Sequence, residues 1–131
     1  MAPDAALEFI IAGRTLFASS GRWLHPLFEL ERFLTERGIE GCRGEIRDKV
    51  IGRGAAFLLV RLGVQRAQAG LLSRLGKDVL DRAGVACTWE TLVDQIACRT
   101  ESILRGVTDP EQAYRILAER ARAYRREGSS G

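Results

Sequence analysis

Apolar residues recur along this chain in three rhythms, and each rhythm predicts a different kind of element. Leu7-Glu8-Phe9-Ile10-Ile11-Ala12 and Thr15-Leu16-Phe17-Ala18 are short apolar runs on either side of Gly13-Arg14. That pairing predicts a β-hairpin closed by a two-residue, glycine-containing turn. Ser19-Ser20-Gly21 ends it. Leu27, Leu30, Phe33 and Leu34 then recur at helical spacing, the stripe of an amphipathic helix. Pro26 suits its first position and Gly38 its stop. Residues 39–47 hold two glycines and several charges, and read as a connector with room for a short strand.

The third rhythm is the absence of one. From Gly54 to Val60 no polar side chain interrupts the chain, and a helix apolar on nearly every side belongs inside a domain. The expected helix runs from about Asp48 to Leu62 and stops at Gly63. Its charged start, Asp48-Lys49, must still reach water or a pocket, because neither group is buried unpaired. Val64 to Leu72 reads as a strand. Ser73 can cap a helix to Ala83, with Gly84 as its stop, and Val85, Cys87 and Trp89 alternate as in a strand. A short helical segment from about Thr91 to Arg105 follows. Thr108-Asp109-Pro110-Glu111 then opens a last helix to about Arg126, before a flexible tail over 128–131.

The predicted order is ββ-α-α-β-α-β-α-α in a single domain with its core over about residues 6–127. Strands alternating with helices predict a parallel pair joined by a right-handed crossover, to which the hairpin adds antiparallel strands. The expected fold class is α/β: a three-layer α/β/α sandwich around a mixed sheet of about 4–5 strands.

Composition narrows the function classes. The 131 residues carry 20 Lys and Arg against 17 Asp and Glu, a formal charge of +3, and so slight an excess does not call for nucleic acid as a partner. The arginines of the last helix, among them Arg115, Arg120 and Arg122, are interleaved with Glu111, Glu119 and Glu127 and read as a solvated face. Three cysteines, Cys42, Cys87 and Cys98, are an odd number without close pairing, which fits reduced thiols and a cytoplasmic setting. No basic stretch leads into an apolar core at the N-terminus, and no apolar run approaches a membrane span. Gly52-Arg53-Gly54 lacks the third glycine of a dinucleotide fingerprint, with Phe57 in that place.

The run Asp48-Lys49-Val50-x-Gly52-Arg53-x-Ala55-Ala56, followed by Gly63-Val64, resembles small prokaryotic proteins grouped as domain of unknown function eighteen-ninety-three. Cys98-Arg99-Thr100-Glu101 is similar to a Cys-x-x-Glu element of that family. The resemblance implies a cytidine-deaminase-like fold. Zinc deaminases of that fold place a His or Cys ligand and a glutamate at one helix start, and Pro-Cys-x-x-Cys at a second. Here Asp48-Lys49 and Ser73-Arg74-Leu75-Gly76 stand where those starts are expected, and the one histidine, His25, precedes the first helix. No zinc and no other cofactor is therefore expected.

The expected site joins Lys49 as acid, base or nucleophile to Asp48 as helix cap and orienting partner, since partial burial would make the amine more reactive. Cys98 and Glu101, three apart, would share a helix face, with Arg99 or the helix start needed to favour a thiolate beside a carboxylate. Gly52 and Arg53 are the ligand-binding candidates: the small residue allows close packing and the arginine can attract an anion. By analogy of fold, the expected function is zinc-independent binding of a nucleobase- or nucleotide-like small molecule, with group transfer as an extension. The alternatives are a non-catalytic interaction module, for which a homodimer is compatible, and thiol or sulfur transfer through Cys98. Neither nucleic acid nor membrane is an expected partner.

Overall fold

The computed structural model describes residues 5–21, 23–96, 100 and 103–129, with side chains up to residue 123. Strands β1 (Leu7–Ile11) and β2 (Arg14–Ser19) form the expected hairpin. Its turn is Ala12-Gly13, one residue earlier than predicted, with φ of 50° and 77°. Gly13 takes this left-handed backbone freely, whereas Ala12 does so at a cost of about 1–2 kcal/mol.

Helix α1 (His25–Arg37) begins with proline in its first turn and ends at Gly38, where φ is 65°. A 3-10 turn (Gly41–Arg43) leads into β3 (Glu45–Ile51). Helix α2 (Arg53–Arg61), β4 (Arg66–Ser73), α3 (Arg74–Arg82), β5 (Ala86–Val93) and α4 (Pro110–Ser129) follow. The sheet order is β2-β1-β3-β4-β5. β1 is antiparallel to both of its neighbours, while β3–β4 and β4–β5 are parallel. The chain is thus an α/β protein with a five-stranded mixed sheet and four named helices, answering to a three-layer α/β/α description.

Three boundaries differ from the sequence expectation by three residues or more, and the strand expected from Val64 begins at Arg66. The helix expected from Asp48 starts at Arg53 instead, and Asp48 and Lys49 lie on β3. Strand β5 runs on through Thr91 to Val93, where a helix was expected, although residues 100 and 103 are helical. The last helix continues to Ser129, past the Gly128 at which a tail was expected.

β3 hides from pattern reading because its alternation breaks. Ile46 and Ile51 are both fully buried although five residues apart, and Ala69 and Leu72 of β4 are both buried although three apart. The pairing registers pass over Lys49 opposite Gly70. A Cβ at residue 70 would lie 2.8 Å from the Lys49 carbonyl oxygen, so glycine is required where β4 crowds the β3 backbone.

The core gathers around α2, whose Gly54 through Leu59 are all buried as the apolar run predicts. Phe9, Ile46, Leu72, Leu80 and Leu117 are fully buried beside it. α2 packs on both α3 and α4. Ser73 caps α3 as expected, its Oγ accepting from the Gly76 amide at 2.9 Å. Among the described residues no helix is long and apolar enough to cross a membrane.

Candidate functional site

The carboxyl end of β3 delivers Asp48, Lys49 and Val50 to one edge of a cavity of about 350 Å³, and the Gly52 turn and the start of α2 form the adjoining wall. Such a position, beyond the carboxyl ends of parallel strands, is where open α/β sheets bind ligands. The turn is held from behind. A Cβ on Gly76 would sit 2.9 Å from the Gly52 carbonyl oxygen, so the first turn of α3 packs directly on that backbone. Gly52 is extended and gives α2 no side-chain cap, so the amides of its first turn rely on other partners.

The opposite wall comes from distant parts of the chain. Trp23 precedes α1 with φ at 55°, a left-handed backbone that is strained for a bulky L-residue. Its Nε1 donates to Thr100 Oγ1 at 2.9 Å, across 77 positions of sequence. Thr100 is buried and reaches over α2, where a Cβ on Gly54 would meet Thr100 Cγ2 at 2.6 Å. Leu24, Ala55 and Ile96 complete the apolar lining.

Asp48 is the chemically distinctive group. Its Oδ1 accepts from the Val50 amide at 3.3 Å. Burial pushes its carboxyl up to about 7, against the opposing pull of the backbone N–H groups of Val50 and Lys49. Desolvation penalises the charged form, and among the described residues Asp48 is in no ion pair that would offset it. The residue keeps partial exposure because the cavity opens beside it. A carboxyl group near half-ionisation at neutral pH can both donate and accept a hydrogen bond.

Lys49 does not hold the place expected of it. It sits on a strand rather than at a helix start, is exposed, and forms no ion pair with Asp48. The opposition between its charge and a helix dipole therefore disappears, and so does the role of Asp48 as helix cap. Lys49→Met is expected to change stability by no more than about 0.5 kcal/mol, as for other exposed positions. A gain above about 1 kcal/mol in chemical denaturation would restore the strained-lysine reading.

Gly52 and Arg53, the two ligand-binding candidates, both line the cavity. Arg53 Nη2 donates to the Val107 carbonyl at 3.0 Å, and its guanidinium lies 5.9 Å from the Phe57 ring centroid. It also borders a second cavity of about 220 Å³ between α2, α3 and the start of α4. Cys98 and Glu101 lie outside the described residues, although Ile96 and Thr100 on either side of Cys98 line the site cavity. Among the described residues no group of three His, Cys, Asp or Glu converges as metal ligands would. His25 is the first residue of α1, 5.5 Å from the Trp23 ring. Cys87 is half-buried, its thiol pushed up by burial and then by Asp81, with Lys77 opposing. Cys42 is exposed.

Trp23 and Thr100 went unseen in the sequence, since no local pattern links residues so far apart. A polar cluster was likewise unseen. Arg61 pairs with Glu31 and Glu111, stacks 3.5 Å from the Tyr114 ring centroid, and Tyr114 donates to Glu31 at 3.1 Å. These groups satisfy one another across α1, α2 and α4, so the cluster is a clamp between helices.

The fold and the site together define a small α/β protein with a ligand-sized cavity at the carboxyl end of its parallel strands. The profile of the family described as Domain of unknown function (DUF1893) matches residues 5–121, and the chain belongs to that family. It is similar in fold to the crystal structure of a DUF1893 family protein from Thermotoga maritima. The TM-score is 0.78 at 21% identity, over 89% of this chain and 81% of that one. No curated protein matches the sequence.

Proposed function

We propose that the protein is a zinc-independent member of the cytidine-deaminase-like fold that binds a small planar molecule, nucleobase- or nucleotide-like, in the cavity beside Asp48. The observation that carries this reading is a buried carboxyl, balanced between its charged and neutral forms, set in a largely apolar cavity at the carboxyl end of β3. Ligand sites typically combine roughly 300–1,000 Å³ of apolar lining with a few converging polar groups, and a cavity of about 350 Å³ meets that description. The strained Trp23 backbone and its tie to Thr100 support a built wall. The wider hollows beside Arg61 are built around its ion pairs with Glu31 and Glu111. Asp48 is the group that can give or take a proton in this reading.

A thermal-shift screen over nucleobases, nucleosides and nucleotides tests it, with amide chemical shifts mapped for any compound that binds. At least one class is expected to raise the melting temperature, with shifts concentrated at Val50, Gly52 to Ala55 and the Trp23 indole. Shifts concentrated instead at Phe57, Val79 and Ala83 would move the site to the second cavity. No binding by any compound would remove the reading altogether.

A further inference from the structure

We propose that this cavity selects a cationic ligand presenting two parallel N–H donors, an amidinium or a protonated amino-substituted N-heterocycle, with Asp48 as its acceptor. The inference rests on the reading above that the cavity is a ligand site, and it adds the charge and donor pattern of what enters.

The Asp48 carboxyl accepts from the backbone N–H of Val50, while the Lys49 amide donates to the Ala6 carbonyl at 3.0 Å. Among the described residues Asp48 belongs to no ion pair and makes no hydrogen bond to a side chain. A carboxylate offers about four lone-pair sites, so acceptor capacity is left over. No buried side-chain nitrogen or oxygen among the described residues is without a partner. The unused face of the carboxyl must therefore be reached from the cavity rather than sealed in protein.

Neither of the described cations in the lining, Lys49 and Arg53, forms an ion pair with Asp48. Lys49 is exposed and without an ion pair, and Arg53 is committed to the Val107 carbonyl and the Phe57 ring. A ligand that brings two N–H donors can make the bidentate, charge-assisted pair that the protein leaves unmade. Between the apolar walls of Leu24, Val50 and Ile96 such a pair is screened less than in water. The Trp23 indole belongs to the same lining, and an indole is the aromatic group that best attracts a cation. An anion would instead face the carboxylate, and the two charges would disfavour each other. A nucleotide-like ligand would thus present its base, not its phosphate, to Asp48.

Three compounds of one shape separate these cases: benzamidine, benzamide and benzoate, titrated calorimetrically at about pH 7.5 against the wild type and Asp48→Asn. Benzamidine is expected to bind at least tenfold more tightly than benzamide, with benzoate weakest. Asp48→Asn is expected to weaken benzamidine at least tenfold, to the level of benzamide, in a variant whose circular dichroism and melting show it folded. Benzoate binding best, or benzamidine indifferent to Asp48→Asn, would overturn the selectivity and leave the site reading standing. If none of the three binds, the selectivity fails, and the nucleoside screen with its shift map then decides separately on the site.

Discussion

Replacing Asp48 by asparagine is expected to stabilise the protein at pH 8, by up to the order of 4 kcal/mol, and to leave its stability at pH 3 unchanged. The sign follows from the direction of the shift. The Asp48 carboxyl is pushed from its ordinary value of 3.8 up to about 7 in the fold. Between those values the folded chain holds its proton more tightly than the unfolded chain does. Stability is therefore lost as pH rises through this window, and the loss is complete above the folded value. Asparagine keeps the shape and an oxygen that can accept from the Val50 amide, but it has no charge to desolvate. The check is a pair of denaturant series from about pH 3 to pH 8. The difference between variant and wild type isolates Asp48 from every other titrating group. A constant difference across the range, or a variant less stable at pH 8, would show that the carboxyl is solvated and the cavity no special environment. A gain in stability alongside a loss of ligand affinity is the trade expected where a protein keeps a costly group for function.

Phe57→Ala is expected to cost about 3–5 kcal/mol, and Leu58→Ala about 2–5 kcal/mol. Both side chains are buried, at 3% and 4% exposure, on the helix at the centre of the core. Phe57 also carries the guanidinium of Arg53 near its ring and lines the cavity between α2 and α3, so truncation enlarges an existing void. The surrounding β3, β4, α3 and α4 are held by backbone pairing and by one another, which limits how far the site can collapse. Losses under about 1 kcal/mol by chemical denaturation would mean that α2 is not the keystone its burial indicates.

Much of this architecture is legible locally. The hairpin, the amphipathic α1 with its proline and Gly38 stop, the Ser73 cap and the Asp109-Pro110 helix start each depend on residues within a few positions of one another. The buried character of α2 follows from its unbroken apolar run. What misled the reading was β3. Glu45-Ile46-Arg47-Asp48-Lys49-Val50-Ile51 shows neither steady alternation nor a continuous apolar run, so its charged pair attached itself to the helix that follows. The strand exists because β1 and β4 hydrogen-bond it from both sides.

The sequence by itself determined the class of elements, most of their caps and stops, which helix is innermost, and the family to which the chain belongs. These are matters of short-range chemistry, in which side-chain periodicity and backbone preference act over a few residues. Only the tertiary structure decided the site. Burial raised Asp48 and left Lys49 exposed, because adjacent residues on a strand face different surroundings. Trp23 and Thr100 met across 77 positions because the hairpin, α1 and the chain after β5 converge on the start of α2. Desolvation depends on every group that surrounds a charge in space, and no window of sequence contains them.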